Sequence, residues 1–227
     1  RRVRSATAVA REAAEAAAGD PGLAKGPRDL ELPPWNKGRY GTAVGRAVHA
    51  VLQTVDLATG AGLDDAAAAQ AAAEGIIGRE DAVAARARAA LTTVTVREAV
   101  EHGFRREMYV AAPVDGTTLE GYVDLVYRRP AGSVPEREAG SVPEREAGLV
   151  VVDYKTDAWR DDADLDAKVA RYRLQGASYA VALELATGEH VAECVFVFLG
   201  EHEARERSVS DLRPAMAEVR ALLAASV

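Results

Sequence analysis

The sequence predicts a mixed α/β fold in which a four-stranded sheet is flanked by helices, with extra helices on the N-terminal side. Strand-like segments rich in valine and aromatic residues are concentrated in the second half of the chain. Segments with apolar residues every three or four positions lie before, between and after them. A length of 227 residues with 48% hydrophobic residues is enough for one domain with a buried core.

The N-terminal third is predicted to be helical and rich in alanine. Residues 4–18 form a polar helix, and the glycines and prolines that follow it indicate that 1–38 is a linker or arm to a missing N-terminal region. Residues 64–75 and 79–100 are further helices. The first core helix begins after Tyr40 and carries apolar residues at helical spacing: Val44, Ala47, Val48, Val51, Leu52 and Val55.

The predicted sheet takes its strands from residues 104–112, 117–129, 148–156 and 190–200. One helix, 162–186, lies between the third and fourth strands, and another, 211–225, closes the chain. The octapeptide AGSVPERE occurs twice in tandem between the second and third strands, at 131–146. Proline and three charges in each copy are incompatible with a core, so we expect a loop insertion there.

Composition excludes several classes of protein. The single cysteine, Cys194, excludes a disulfide framework, a cysteine-built zinc site and an iron–sulphur cluster. No apolar run reaches the roughly 18 residues that a membrane span needs, and no signal peptide opens the sequence, so we expect a cytoplasmic protein without a membrane partner. A net charge of −7 argues against binding polyanions over the whole surface, although a local basic groove stays open.

Two acidic residues and a lysine stand out among the predicted strands. Asp153 and Lys155 lie two residues apart at the end of a strand, and so on one face of it. Alone, such a pair is more often a surface ion pair. Asp124 precedes Asp153 by 29 residues, or 13 without the 16 of the tandem repeat, which is hairpin spacing. Carboxylates placed opposite each other repel unless a cation bridges them, and oxygen ligands favour Mg²⁺ or Mn²⁺.

Other polar residues fall on the neighbouring predicted elements. Glu107 belongs to the preceding strand and His49 to the first core helix. Gln175 and Tyr179 are one helical turn apart on 162–186, with Arg171 one turn earlier. Taken singly, each fits a structural role: a solvated strand glutamate, a histidine satisfied between helix and sheet, and the polar edge of an amphipathic helix.

Together these residues form an ordered set of motifs. The chain has GxxxHxxL around His49, a strand glutamate, GxxDL at 121–125, DYKT at 153–156 and QxxxY at 175–179. In this order they resemble the RecB-type nucleases of the PD-(D/E)XK superfamily, in particular the nuclease domain fused to UvrD-like helicases in AddAB and RecBCD. The resemblance runs from Tyr40 to Leu199.

The resemblance implies a fold, an activity and partners. It implies a restriction-endonuclease-like core, with 39–227 as the nuclease domain. The implied activity is that of a Mg²⁺-dependent deoxyribonuclease, exonuclease or endonuclease, within an ATP-dependent helicase-nuclease of DNA repair and recombination. The implied partners are DNA, with a single-stranded end as substrate, the fused or associated helicase, and a second subunit like AddB or RecC.

The resemblance also implies roles for individual residues. Asp124 and Asp153 would be catalytic metal ligands, with the main-chain carbonyl of Tyr154 as a further ligand. Glu107 and His49 would complete the metal shell around Mg²⁺, for which Mn²⁺ substitutes.

The same resemblance assigns residues to the nucleic acid. Lys155 would be the motif lysine, and holding and orienting the attacking water is the role we expect for it. Gln175 and Tyr179 would touch DNA. Apart from the resemblance, charge and aromatic chemistry offer further candidates. Arginines that could guide a strand are Arg97, Arg105, Arg106, Arg171 and Arg173, although any one of them is more often a solvated surface residue, and tyrosines that could stack on bases are Tyr122, Tyr172 and Tyr179.

Two other functions stay open. One is a non-catalytic module of nuclease fold that binds DNA or a partner domain; the presence of every acidic position together with Lys155 counts against it. The other is a stand-alone nuclease of the same fold that acts on RNA or branched DNA. The missing initiator methionine and the linker-like 1–38 favour a domain of a longer protein.

Overall fold

A computed structural model describes residues 2–9, 42–131 and 146–225. The elements are β1 (Arg2–Ser5), α1 (Ala43–Thr54), α2 (Leu63–Ala73), α3 (Glu80–Leu91), α4 (Val94–His102), β2 (Phe104–Val114), β3 (Thr117–Arg129), β4 (Gly148–Lys155), α5 (Asp162–Thr187), β5 (Val191–Leu199), β6 (Ala204–Ser208) and α6 (Leu212–Ala224). The predicted α/β fold with a mixed sheet between helices is confirmed, and the described residues contribute six strands rather than four.

Strand β3 is the hub of the sheet. β2 pairs antiparallel with one edge of β3 along most of the length of β3. The other edge of β3 pairs with two strands: β1, parallel to residues 117–120, and β4, antiparallel to residues 125–129. β5 then pairs parallel to β4, and β6 antiparallel to β5. β1 and β4 therefore leave a gap on this edge of β3, and residues 121–124, which lie in the gap, pair with neither of these two strands.

Each face of the sheet carries its own hydrophobic core. Helices α5 and α6 cover one face, which we name the α5 face, where Val151 of β4 is buried. Helices α1 to α4 cover the other, the α1 face, where Val150 and Val152 of the same strand are buried. Because both faces of β4 are covered, its valine run reads as continuous rather than alternating.

Three details differ from the sequence prediction. Residues 2–5 form a strand on the edge of β3, whereas a helix was predicted from residue 4; residues 6–9 are helical. The predicted helix 79–100 is two helices, because Thr93 caps α4 through a hydrogen bond that its side chain accepts from the Val96 amide. β6 was missed, since its polar sequence ARERS carries no hydrophobic pattern.

Other predictions fall partly or wholly outside the described residues. The remainder of the predicted helix 4–18, most of the arm 1–38 and nearly all of the tandem repeat belong there. The domain boundaries stay a prediction. Among the helices of the described segments, none combines the length and the apolar surface needed to cross a bilayer.

Candidate active site

The candidate site lies where β2 and β3 reverse the faces on which their side chains pack. Val123 packs in the core of the α5 face and Leu125 in the core of the α1 face, although residues two apart in a regular strand share a face. On β2, Phe104 and Met108 show the same reversal. Asp124 sits at the reversal, so groups from both faces of the sheet reach its carboxylate.

Glu107 lies opposite Asp124 and has an unusual backbone. Its φ is +46°, in the left-handed region that non-glycine residues rarely adopt in a strand, and its neighbours on both sides pair regularly with β3. Such strain persists where the surrounding structure holds it, and it concentrates at functional sites. Burial and the neighbouring charge of Asp124 raise the pKa of Glu107, while a hydrogen bond with Gln53 acts in the opposite direction.

Asp124 is held by both neighbouring elements. Its Oδ1 lies 3.2 Å from His49 Nδ1 of α1, and its Oδ2 accepts a 2.7 Å hydrogen bond from the backbone amide of Tyr154. Burial alone would raise the pKa of Asp124, but His49 and the Tyr154 amide outweigh it and hold it below its ordinary value. Burial disfavours a charged His49, yet Asp124 and Asp153 outweigh that and raise the pKa of His49 to about 9.

The position of α1 depends on a glycine. A side chain at Gly45 would meet Thr156 Oγ1 at 2.7 Å, so the missing side chain lets the helix approach the end of β4. Thr42 caps this helix by accepting a hydrogen bond from the Gly45 amide. One turn after Gly45, His49 is thereby brought to Asp124.

Asp153 and Lys155 form a buried ion pair beside Asp124. Lys155 Nζ lies 2.5 Å from Asp153 Oδ2, and the β3–β4 register, continued by one residue, places Asp153 opposite Asp124. Burial raises the pKa of Asp153 to about 6; Lys155 acts against that shift and the charge of Asp124 adds to it. The predicted approach of 124, 153 and 155 is therefore present in the structure.

The surroundings of Lys155 fix the position of its ammonium group. Gln175 Oε1 accepts a 3.1 Å hydrogen bond from Nζ, and the Tyr172 ring centroid lies 4.2 Å away, a cation–π distance. The Phe196 ring contributes at 5.4 Å. The sequence offers Tyr172 as a stacking residue, and in the structure its ring contacts Lys155 instead. Its position about one helical turn before Gln175 is the sequence signal that links Tyr172 to this lysine.

The residues predicted to touch DNA occupy different environments. Gln175 and Tyr179 are buried, at 9% and 6% exposure, and a 3.0 Å hydrogen bond from Gln175 Nε2 to the Tyr179 hydroxyl joins them. Arg171 is exposed. Arg173 is directed to α6, where Asp211 and Glu218 pair with it at 2.7 Å each. The DNA-binding roles of these four residues stay predictions. In the structure, Gln175 and Tyr179 form a chain of hydrogen bonds that begins at Lys155 and runs along the buried side of α5.

A subset of these residues fits a divalent cation. Ligand atoms of His49, Glu107 and Asp124 lie within 4.8 Å of one another, and Asp153 stands outside this group but beside Asp124. One imidazole and two carboxylates are a donor set for divalent ions. The Tyr154 backbone reaches the group through its amide, and a ligand role for its carbonyl stays a prediction.

No curated protein matches the chain significantly. The solved structure described as the crystal structure of SSO0001 is 14% identical, with an alignment that covers 80% of this chain and 84% of that one at a TM-score of 0.32; so low a score supports no inference. The sequence model of the PD-(D/E)XK nuclease superfamily matches residues 27–226, which include every residue of the site and the last part of the predicted arm. Since that match spans most of its length, the chain belongs to the PD-(D/E)XK nuclease superfamily.

Proposed function

We propose that the chain is a Mg²⁺-dependent deoxyribonuclease domain that hydrolyses phosphodiester bonds at the cluster of His49, Glu107, Asp124 and Asp153. The observation that carries the proposal is the convergence on Asp124 of an imidazole from α1, a carboxylate from β2 and the Asp153–Lys155 pair from β4. Charged groups this close and this buried are costly to a fold, and they concentrate where catalysis needs them.

His49, Glu107 and Asp124 would hold the ion, with Asp153 beside them. When bound there, a divalent cation would lower the pKa of a bound water and offset the charge that develops on the phosphate oxygens. Glu107 keeps a strained left-handed backbone at the point where its carboxylate lies within 4.8 Å of the ligand atoms of His49 and Asp124. The Tyr154 amide and His49 keep Asp124 ionised, which is the form that attracts a cation.

Lys155 supplies the positive charge of the chain itself. Asp153, Gln175 and the ring of Tyr172 hold its Nζ from three directions, so little rearrangement is needed when a substrate arrives. We assign Lys155 two tasks: to hold and orient the attacking water, and to donate hydrogen bonds to a non-bridging phosphate oxygen.

We also propose a cellular context, supported by the order of the motifs. The substrate is single-stranded DNA delivered by a fused or associated helicase in double-strand break repair, with an AddB- or RecC-like second subunit. A net charge of −7 leaves little general attraction for DNA, and a motor that raises the local concentration of the strand removes the need for it.

The test is cleavage of labelled single-stranded DNA by the purified protein in Mg²⁺ or Mn²⁺. Lys155→Ala and Asp153→Ala should each abolish cleavage, as should a chelator. Lys168→Ala is the matched control, because Lys168 pairs with Asp164 on the same helix as Gln175, away from the cluster, and should keep full activity.

Two outcomes would contradict the proposal. Cleavage that survives Lys155→Ala and Asp153→Ala would place the chemistry elsewhere. Binding of single-stranded DNA without cleavage, in a protein that binds Mg²⁺ in calorimetry, would favour the non-catalytic binding module instead.

A further inference from the structure

Two exposed tyrosines form an aromatic pair on the sheet. Tyr109 of β2 and Tyr122 of β3 are directly opposite each other, with ring centroids 5.1 Å apart and planes inclined by 50°. They are 51% and 60% exposed, whereas most of the large apolar side chains described are buried. Exposed aromatic side chains grouped in this way are typical of binding surfaces.

The pair lies next to the candidate active site. Tyr109 is two residues from Glu107, and Tyr122 two residues from Asp124, which is roughly 7 Å along a strand. Their strand neighbours Met108 and Val123 pack on the α5 face, so the tyrosines project from the α1 face. The two exposed rings therefore lie on the same face of the sheet as helix α1, whose His49 contacts Asp124.

One contact restrains the rings. The Tyr109 hydroxyl donates a 2.8 Å hydrogen bond to Glu120 Oε2, on the same strand as Tyr122. A carboxylate at this position adds no attraction for a polyanion, so the pair suits a ligand that binds by stacking. A nucleobase is such a ligand, because every base offers a π face and stacking on aromatic side chains tolerates any sequence.

We propose that Tyr109 and Tyr122 are a stacking platform for a base of single-stranded DNA, next to the phosphate that the site hydrolyses. The proposal rests on the proposed nuclease function and names its substrate as unpaired DNA, because the bases of a duplex are stacked on each other and closed to the platform. The other tyrosines considered for stacking are unsuited: Tyr179 is buried, and the Tyr172 ring is engaged by Lys155.

The test compares binding of two strands to the full chain. One probe is fluorescein-labelled oligothymidylate, and the other is the same sugar–phosphate backbone with abasic sites; Ca²⁺ replaces Mg²⁺ so that the strands stay intact. Tyr109→Leu/Tyr122→Leu should weaken binding of oligothymidylate about tenfold to a hundredfold and leave the abasic strand unchanged. Tyr122→Phe, which keeps the ring, should bind as the parent does.

Controls separate this proposal from its alternatives. Leu185→Ala removes an exposed side chain on α5 and should change neither affinity. The proposal would be contradicted if the parent bound oligothymidylate and the abasic strand with equal affinity. It would also be contradicted if Tyr109→Leu/Tyr122→Leu lost equal affinity for both strands, because the two tyrosines would then not bind a base. Base-dependent binding without cleavage in Mg²⁺ would contradict the nuclease function while supporting the platform, so the two failures are distinguishable.

Discussion

The ring of Tyr179 fills the space in which a side chain at Gly121 would lie. A β-carbon at position 121 would be 2.6 Å from Tyr179 Cε1, which is closer than β-carbons approach non-bonded atoms in real proteins. The hydroxyl of the same ring accepts a hydrogen bond from Gln175, whose amide oxygen in turn accepts one from Lys155. The missing side chain at Gly121 thus leaves room for the Tyr179 ring, which is linked through Gln175 to the ammonium group of Lys155.

Gly121→Ala should therefore lower both stability and activity. The methyl group displaces the Tyr179 ring, and overpacking of this kind costs about 1–3 kcal/mol of unfolding free energy. The displaced hydroxyl releases Gln175 and hence Lys155, so we expect kcat to fall by more than the loss of folded protein explains. Denaturant unfolding and cleavage rates at saturating substrate measure the two effects.

Tyr179→Leu is the partner variant for that experiment. In the Gly121→Ala background it relieves the steric conflict, so the two substitutions should be strongly non-additive in unfolding free energy. It cannot restore the hydrogen bond to Gln175, and activity should stay low. Additive losses of stability would mean that the ring and the glycine do not oppose each other.

A second steric pair predicts the affinity for metal. Gly45→Ala pushes α1 away from Thr156 Oγ1, and His49 moves with the helix. We expect the affinity for Mn²⁺ in calorimetry to fall about tenfold, as it does when the support of a metal ligand is disturbed. Thr156→Ala, added to Gly45→Ala, should restore most of the affinity; if it does not, the helix is held by something other than this contact.

Removal of Lys155 should separate metal binding from catalysis. Lys155→Met takes a positive charge away from Asp153 at 2.5 Å, which also raises the pKa of that carboxyl further. At a pH well above that pKa the cluster is therefore more negative and should bind a divalent cation several-fold more tightly. Cleavage should nevertheless be lost. Calorimetry with Mn²⁺ distinguishes the two roles of Lys155. A weaker affinity for Mn²⁺ in Lys155→Met would mean that the lysine supports the metal site rather than the reaction.

The approach of Asp124, Asp153 and Lys155 to one another could be predicted from the spacing of the residues, whereas the roles of the site residues came only from the resemblance of the ordered motifs and stay predictions. Asp153 and Lys155 share a strand face by alternation alone, and the hairpin spacing of Asp124 follows once the tandem repeat is set aside. The change of packing face at Glu107 had no such signal, because a glutamate in a strand sequence gives no sign of the left-handed φ that the structure shows there. Tyr172 as a contact of Lys155 likewise depends on the docking of α5 on the sheet.

The fold errors have the same origin. β1 and β6 are strands of four and five residues with polar sequences, and their stability comes from pairing with β3 and β5 rather than from their own pattern. Thr93 is different, because a threonine before a helix is a local signal for a new N-terminus. The prediction of one helix over 79–100 passed over it.

His49 predicts how the stability of the metal-free protein changes with pH. Its pKa is about 9 in the folded protein against 6.5 ordinarily, so the folded state holds the proton more tightly. The stabilising effect is complete below pH 6.5 and is lost as the pH rises through 9. Melting temperatures should fall across that window, and His49→Gln should flatten the fall. Asp153, with a pKa of about 6 in the folded protein against 3.8 ordinarily, changes the stability only below about pH 6. It therefore does not affect the comparison of the parent with His49→Gln between pH 6.5 and 9.

Metal binding should expel the same proton. A ring nitrogen binds a cation only when it carries no proton, and at about pH 7.5 His49 is almost fully protonated because its pKa is about 9. Calorimetry in two buffers of different ionisation enthalpy should therefore report about one proton released for each Mn²⁺ bound, decreasing towards zero as the pH is raised past 9. At about pH 7.5, well above the pKa of about 6 of Asp153, the release should largely vanish in His49→Gln. Full release in that variant would assign the proton to Asp153 or Glu107 and remove His49 from the metal shell.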